Sequence, residues 1–218
     1  MSDLLKSLTL GTWELKIRLP QKVEGAPVFF LLHGWTGDEN SMWVFANKLN
    51  PDAMIISPRG LYPSNHSKYA GYSWVEDKTG KWANKKDFEH PVNLLSSLIS
   101  ELATQFPANF EELNIAGFSQ GSALAGEFFF VNPEKVSRLA ILSGFLAEGS
   151  DPSDLDLHGK KIFVGHGTRD EIVPLERAQQ AVKLFETGGA QVTSCFTDVG
   201  HRLGADCFRG FNRFFENS

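Results

Sequence analysis

Residues 113–121 read LNIAGFSQG, an apolar run that is followed by a Gly-x-Ser-x-Gly turn and then by a helical pattern. Between a strand and a helix, this turn places the serine hydroxyl above the sheet, at the positive end of the helix dipole. Gly117 and Gly121 would relieve the crowding in so sharp a turn. We interpret Ser119 as a candidate nucleophile; the alternative is a glycine-rich turn in which Ser119 only caps the helix.

The segments on both sides of this turn alternate between strand and helix patterns. Strand patterns occur at 28–32, 53–57, 113–116, 139–142, 161–164 and 191–196. Helical patterns occur at 91–106, 120–131, 175–185 and after Leu203. This order predicts a single domain, residues 1–218, built on a doubly wound, mostly parallel α/β sheet with helices on both faces. The short connection between residues 142 and 160 leaves no room for a large lid domain.

The first half of the chain carries three further local patterns. Residues 13–19 alternate between apolar and polar, which predicts a half-exposed edge strand. Thr36 and Glu39 have the spacing of a capping box, which predicts a helix from Thr36 to about Leu49. Residues 58–90 show neither the helical period nor the alternation of a strand. A connection of this length in a compact domain is usually functional or mobile.

A serine hydroxyl becomes a nucleophile when a histidine removes its proton and a carboxylate orients that histidine. When the serine lies on a strand–helix turn of this kind, the acid and then the histidine follow on loops after later strands. Asp170 follows the strand pattern at 161–164, and His201 follows the next strand. We therefore predict Asp170 as the acid and His201 as the base, with Glu171 and Asp198 as alternative acids.

Two other histidines lie close to glycines at strand ends. His33 and His166 each close a buried strand pattern, and we interpret both as packing or hydrogen-bonding residues. The loop after His33 could also bind negative charge, because Gly34 would let the backbone approach a substrate closely. We predict the backbone N–H groups of Trp35 and Gln120 as the two donors of an oxyanion hole.

The composition excludes some classes of protein and indicates the cellular compartment. The chain has 218 residues, a formal net charge of −5 and two cysteines. Its mild acidity argues against a nucleic-acid partner. The sequence lacks a signal-peptide pattern or a membrane-spanning apolar run, which predicts a cytoplasmic protein without stable membrane insertion. Cys195 and Cys207 are interpreted as reduced residues, and neither a metal site nor a cofactor-binding motif is predicted.

Together, several motifs resemble the phospholipase/carboxylesterase family of α/β-hydrolases, which includes acyl-protein thioesterases, lysophospholipases and small bacterial carboxylesterases. The matching residues are Leu32-His33-Gly34, Gly117-Phe118-Ser119-Gln120-Gly121, Gly165-His166-Gly167 with Asp170 and Val173-Pro174, and Gly200-His201. The resemblance implies a Ser119–His201–Asp170 triad and an oxyanion hole from Trp35 and Gln120. Residues 58–74 look more like the bacterial esterase branch than the thioesterases.

The expected activity is hydrolysis of small to medium carboxylic esters through an acyl-enzyme. A lysophospholipase or acyl-protein thioesterase is the alternative within this class, and a non-catalytic ligand-binding protein is the alternative from another class. The aromatic residues of 58–90 suit a pocket wall, so we predict Arg59, Tyr72 and Trp74 as pocket residues. The expected partner is a small-molecule ester, and a homodimer is left open.

Overall fold

A central eight-stranded sheet organises the chain. The structure is a computed structural model that describes residues 4–66, 68–76, 82–151 and 155–216. The described strands are β1 (Leu5–Leu10), β2 (Trp13–Arg18), β3 (Pro27–Leu32), β4 (Met54–Pro58), β5 (Tyr62–Pro63), β6 (Tyr72–Ser73), β7 (Asn109–Phe118), β8 (Val136–Leu142), β9 (Lys161–Gly167) and β10 (Gln191–Thr197). The described α-helices are α1 (Trp43–Ala46), α2 (Lys85–Gln105), α3 (Gln120–Val131), α4 (Leu175–Thr187) and α5 (Ala205–Phe215).

The strand order of the main sheet is β1-β2-β4-β3-β7-β8-β9-β10. All neighbours from β4 to β10 are parallel, whereas β2 runs antiparallel to both β1 and β4. Strands β5 and β6 form a separate antiparallel pair in the long connection before α2. The predicted doubly wound, mostly parallel α/β sheet is therefore confirmed.

Helices cover both faces of the sheet, and each face has its own apolar core. Helices α2, α3 and α4 pack on the face that receives Val28, Phe30 and Leu32 of β3. Segment α1 and helix α5 pack on the other face, which receives Phe29 and Leu31. Burial on both faces explains why residues 28–32 are apolar without alternation.

Two predictions for the first half were wrong. Strand β2 is not an edge strand, because β1 pairs along its whole length and takes the edge. No helix begins at Thr36: its backbone has a φ of 66°, and the helical segment is only Trp43–Ala46. The Thr36 N–H instead donates to the carbonyl of Tyr72, and the Tyr72 N–H donates to the carbonyl of Gly37. These two bonds hold the loop after β3 in a non-helical shape.

The helix predicted from residue 91 begins earlier. Its first residue is Lys85, and Pro91 lies inside it rather than at its start. Asn84 caps the helix, since its side chain accepts a bond from the Lys86 N–H while the Asp87 carboxylate accepts one from the Asn84 N–H. This Asn-x-x-Asp capping box, a relative of the Ser/Thr-x-x-Glu pattern, was overlooked in the sequence.

The two cysteines are bonded to each other rather than reduced. Cys195 of β10 and Cys207 of α5 form a disulfide, with their Cα atoms 5.4 Å apart. That separation lies within the usual range for disulfides. The bond closes the chain between β10 and α5, and this segment contains His201. The expectation of reduced cysteines was therefore wrong, although each was assigned to the correct kind of element.

Candidate active site

Ser119 stands in a strained turn between β7 and α3. Its φ of 52° and ψ of −117° are unusual for a residue with a side chain. A Cβ at position 117 would lie 2.2 Å from the carbonyl oxygen of Gly121, and a Cβ at position 121 would lie 2.2 Å from that of Leu32. Only glycine fits at these two positions, as the Gly-x-Ser-x-Gly pattern predicts.

Three predicted residues meet in one hydrogen-bonded chain. The Nε2 atom of His201 lies 3.1 Å from the Ser119 hydroxyl oxygen, and its Nδ1 atom lies 2.7 Å from Oδ2 of Asp170. The Asp170 side chain is fully buried, whereas that of His201 is partly exposed. The other carboxylate oxygen of Asp170 accepts bonds from the backbone N–H groups of Ile172 and Val173, each at 2.9 Å. These bonds fix the carboxylate in the orientation that meets His201.

The alternative acids lie elsewhere. Asp198 forms an ion pair with Arg169 at 2.6 Å, with both side chains largely exposed. Glu171 is exposed beside Asp170. Neither contacts His201, so of the three candidate carboxylates only Asp170 is positioned to orient it.

The two N–H groups predicted for an oxyanion hole are free of protein acceptors among the described residues. Gln120 is the first residue of α3, where a helix leaves its N–H groups without intrahelical partners. Trp35 follows Gly34, and a Cβ on Gly34 would lie 3.2 Å from the Cβ of Ser119. Gly34 thus lets the Trp35 segment pass directly against the serine.

His33 supports this loop from inside. Its ring is fully buried, its Nε2 accepts a bond from the Gly60 N–H at 2.8 Å, and its Nδ1 donates to the Gly34 carbonyl at 2.7 Å. Burial lowers the pKa of His33 to about 4, although the Gly34 bond and the charge of Asp38 oppose that shift. His33 is therefore neutral at pH 7, and it connects the loop after β3 to the loop after β4.

The predicted pocket residues of the 58–90 segment have structural partners. The Arg59 guanidinium lies over the ring of Tyr72, 4.3 Å from its centroid. Trp74 is fully buried, and its indole N–H donates to the His33 carbonyl at 2.6 Å. The Gln120 side chain accepts a bond from the Trp74 backbone N–H. These contacts place Trp74 in the interior, behind the loop that follows β3 (residues 33–37), rather than at a pocket surface.

A cavity of about 490 Å³ is lined by chain neighbours of the serine and of the histidine, although Ser119 and His201 themselves do not line it. Its apolar lining is Met42, Val44, Phe45, Phe118, Leu203 and Phe208. Gly34 and Trp35 also line it, as does the exposed side chain of Arg202. Arg59, Tyr72 and Trp74 are not part of this lining. Sequence reasoning missed this cavity because it forms where α1 and the start of α5 meet, two segments that are far apart in the chain.

His166 is the other residue that sequence reasoning undervalued. Its fully buried ring donates from Nε2 to the Val173 carbonyl at 2.9 Å, and the same atom lies 3.4 Å from Oδ2 of Asp170. The interpretation as a hydrogen-bonding residue is confirmed. No signal in the sequence indicated its contact with the acid, because a four-residue spacing brings side chains together on a helix, whereas His166 lies in β9 and Asp170 follows that strand.

A mostly parallel sheet with helices on both faces, whose strand–helix turn holds a serine bonded to a histidine and a buried aspartate, defines an α/β-hydrolase. The chain belongs to the phospholipase/carboxylesterase family, whose model matches residues 16–217.

Curated relatives and solved structures agree with this assignment. Acyl-protein thioesterase 1 of Eremothecium gossypii is 26% identical over 208 residues, which span 86% of this chain and 82% of that protein. A carboxylesterase from Mesorhizobium loti superposes with a TM-score of 0.83 at 22% identity, over 97% of this chain and 98% of that one. The Bacillus cereus carboxylesterase superposes with a TM-score of 0.80 at 19% identity, over 94% of each chain. The chain is therefore an enzyme, a hydrolase of the carboxylesterase and acyl-protein thioesterase type. Within the described ranges, no helix is both long and apolar enough to cross a bilayer.

Proposed function

We propose that this chain hydrolyses carboxylic esters by double displacement, with Ser119 as nucleophile, His201 as general base and Asp170 as the acid that orients His201. The observation that carries the proposal is the hydrogen-bonded chain from Asp170 through His201 to Ser119. It ends at Ser119, which precedes Gln120 in the chain and lies against Gly34, the residue before Trp35. The N–H groups of Trp35 and Gln120 have no acceptor within the described ranges. A nucleophile, a base and donors for a developing oxyanion are the parts that acyl transfer needs.

In the first half-reaction, Nε2 of His201 takes the hydroxyl proton of Ser119 while Oγ of Ser119 bonds to the ester carbonyl carbon. The negative charge that develops on the carbonyl oxygen is stabilised by the N–H groups of Trp35 and Gln120. The tetrahedral intermediate collapses, the bond to the alkoxy oxygen breaks, and His201 gives its proton to the leaving alcohol. An acyl-enzyme on Ser119 remains.

In the second half-reaction, water takes the place of the alcohol. His201 removes a proton from this water as its oxygen bonds to the acyl carbon. The bond to Ser119 Oγ then breaks, the serine regains its proton from His201, and the carboxylic acid leaves. The buried Asp170 stabilises the protonated imidazole in both halves and stays ionised.

We propose esters with small to medium acyl groups as the substrates. A cavity of about 490 Å³ lies toward the lower end of the range of small-molecule pockets. The alternative is a thioesterase or lysophospholipase, which the likeness to acyl-protein thioesterase 1 favours. Initial rates on 4-nitrophenyl esters from acetate to palmitate separate the two: a short-chain maximum supports the first, and a long-chain maximum supports the second.

The triad is tested by paired variants. Ser119→Ala and His201→Ala should each lower kcat by about 10⁴ to 10⁶, with melting temperatures unchanged. Asp170→Asn should lower kcat strongly. The control Asp198→Asn removes a carboxylate from the surface and should leave kcat nearly unchanged. Near-normal turnover by Ser119→Ala would contradict the mechanism, and the reverse result for the two aspartates would reassign the acid. A non-catalytic protein would leave Ser119 unlabelled by a fluorophosphonate probe.

Two further proposals concern location and assembly. A cytoplasmic location is proposed from the sequence, and the Cys195–Cys207 disulfide weighs against it, because disulfides persist in oxidising compartments. Alkylation of a cell extract under acid quench would decide, since free thiols in both cysteines support the cytoplasm. We also propose a homodimer without a nucleic-acid partner: Leu5 is exposed on the edge strand β1, where the same strand of a second copy would cover it. Sedimentation velocity tests the dimer.

A further inference from the structure

One cavity is lined by residues that neighbour the nucleophile and the base in the chain, although Ser119 and His201 themselves are not in its lining. Its lining begins at Gly34 and Trp35, which carry one side of the proposed oxyanion hole, and at Phe118, which precedes the nucleophile. Arg202 and Leu203, which directly follow the base, also line it. A carbonyl held at Ser119 has two substituents, and the cavity is available to one of them because its lining includes the residue before the nucleophile and the two residues after the base.

Most of the cavity wall is apolar. Met42 and Phe45 come from the segment around α1, and Phe208 comes from α5. Phe45 stacks on Phe208 with ring centroids 5.4 Å apart, so α1 and α5 are in contact through two residues of the cavity lining. Each methylene group that leaves water for such a surface contributes about 0.8 kcal/mol, or about a fourfold gain in kcat/KM.

Arg202 adds a charge to this apolar wall. Its side chain is exposed, and among the described residues it makes neither an ion pair nor a hydrogen bond. The other arginines near the site are engaged: Arg59 lies over the Tyr72 ring, and Arg169 pairs with Asp198. Arg202 is therefore the cation that a substrate in this cavity would meet.

We propose that this cavity binds the apolar chain of an ester whose far end carries an anionic group, such as a carboxylate, and that Arg202 pairs with this anion. The proposal rests on the proposed function, since it assigns the substrate class of the same site. The chain and its anion could belong to the acyl group or to the alcohol. The experiment has one arm for each source.

The substrates are matched pairs of equal carbon number that differ at the far end of the chain, where one member has a methyl group and the other a carboxylate. In the acyl arm, 4-nitrophenyl octanoate is compared with the mono-4-nitrophenyl ester of suberic acid, which has the same number of carbons. In the alcohol arm, octyl acetate is compared with 8-acetoxyoctanoate, and hydrolysis is followed by titration of the released acid. The measured quantity is the ratio of kcat/KM for the anionic member to that for the neutral member.

We expect this ratio to be about fivefold or more in one arm and to fall as salt rises, because ions screen an exposed pair. Arg202→Gln should bring the ratio to one or below, and Arg202→Lys should retain part of it. The control Arg209→Gln removes an exposed arginine of α5 that lies outside the cavity and should leave the ratio unchanged.

A second pair of variants tests the apolar wall. Val44 is 59% exposed at the cavity, and Val131 is 63% exposed at the end of α3, away from it. Val44→Trp should narrow the cavity and lower the ratio of octanoate to acetate hydrolysis by about tenfold or more. Val131→Trp introduces the same side chain elsewhere and should leave that ratio unchanged.

The outcomes separate this proposal from the proposed function. Hydrolysis of neutral acetates with no preference for the anionic member in either arm would overturn the cavity assignment and leave the esterase standing. A preference that survives in Arg202→Gln would overturn the role of Arg202. If the wild-type enzyme hydrolyses no ester at all, both proposals are overturned together.

Discussion

The Nε2 atom of His166 lies 3.4 Å from Oδ2 of Asp170, the same carboxylate oxygen that meets Nδ1 of His201 at 2.7 Å. Because Nε2 also faces the Val173 carbonyl at 2.9 Å, both of its neighbours are acceptors, and it must carry the proton. His166 and Asp170 have fully buried side chains. The proposed acid is therefore held between two imidazoles, one of which never reaches the reacting atoms.

We expect His166 to act as a positioning residue for Asp170. His166→Leu removes the N–H that donates to the Val173 carbonyl and lies beside the carboxylate. It should lower kcat by about tenfold, with KM nearly unchanged, because the loop that positions Asp170 loses a buried bond and keeps an unpaired carbonyl, which costs about 1 to 3 kcal/mol. His166→Gln can place an amide N–H in a similar position and should restore part of kcat. The exposed His158→Leu is the control for loss of a histidine elsewhere. A fall in melting temperature without a fall in kcat would show that His166 only packs.

The buried His33 should make stability depend on pH. Its pKa in the folded protein is about 4, compared with 6.5 for an ordinary histidine, so the unfolded chain binds the extra proton more readily between these values. The stabilisation is complete above pH 6.5 and is lost as the pH falls toward 4. The free energy of unfolding measured in urea should be about 2 to 3 kcal/mol lower at pH 4.5 than at pH 7.5 on this account alone.

The variant His33→Gln isolates this contribution. It cannot titrate, so its free energy of unfolding should fall less than that of the wild type over the same pH interval. His158→Gln, at an exposed position, should keep the wild-type slope. Equal slopes for His33→Gln and the wild type would contradict the pKa assigned to His33.

The disulfide should stabilise the segment that carries His201. It joins Cys195 and Cys207, which are 12 positions apart, and loops of this size gain about 3 kcal/mol from closure. Reduction by a phosphine should lower the melting temperature by several degrees and lower kcat more than it changes KM, because His201 lies within the closed loop. The double variant Cys195→Ala, Cys207→Ala should have the melting temperature and kcat of the reduced enzyme, and the reductant should change neither. A reduced wild type with unchanged melting temperature and kcat would contradict this expectation.

The serine, the histidine and their order along the sheet were predictable because each depends on a short local pattern. Gly117 and Gly121 signal a turn that only glycine permits, and Asp170 and His201 each follow a strand. The sequence favoured Asp170 over Asp198 only through its position close to a strand end. That choice depends on the backbone N–H groups of 172 and 173, which fix one carboxylate, and on Arg169, which pairs with the other.

The start of α2 was missed although its capping box is local, and β2 lost the sheet edge to β1, which directly precedes it. Other errors involve partners that are more distant in the chain. The capping-box pattern at Thr36 is genuine, but bonds to Tyr72 from both sides of it impose a different backbone. The two cysteines meet because α5 folds back along β10, and their spacing alone does not reveal that return. Trp74 is an aromatic residue of the kind that often lines pockets, yet its indole N–H donates to a carbonyl in the interior.

This interior bond leads to a prediction about the oxyanion hole. The Trp74 indole N–H donates to the His33 carbonyl at 2.6 Å, one residue before Gly34 and two before Trp35, whose N–H is a proposed oxyanion donor. Trp74→Phe keeps much of the ring but leaves that buried carbonyl unpaired, which costs about 1 to 3 kcal/mol of stability. Because the loop that carries the donor is then less firmly held, kcat should fall about tenfold, and an aryl boronic acid that mimics the tetrahedral intermediate should bind more weakly by a similar factor. Trp82→Phe, in which the ring packs on Phe145, is the matched control and should change neither quantity. Trp74→Phe could instead lose stability but keep both kcat and the affinity for the boronic acid. In that case Trp74 only fills the core, and the loop after β3 that carries Trp35 is held by His33 and the bonds to Tyr72 alone.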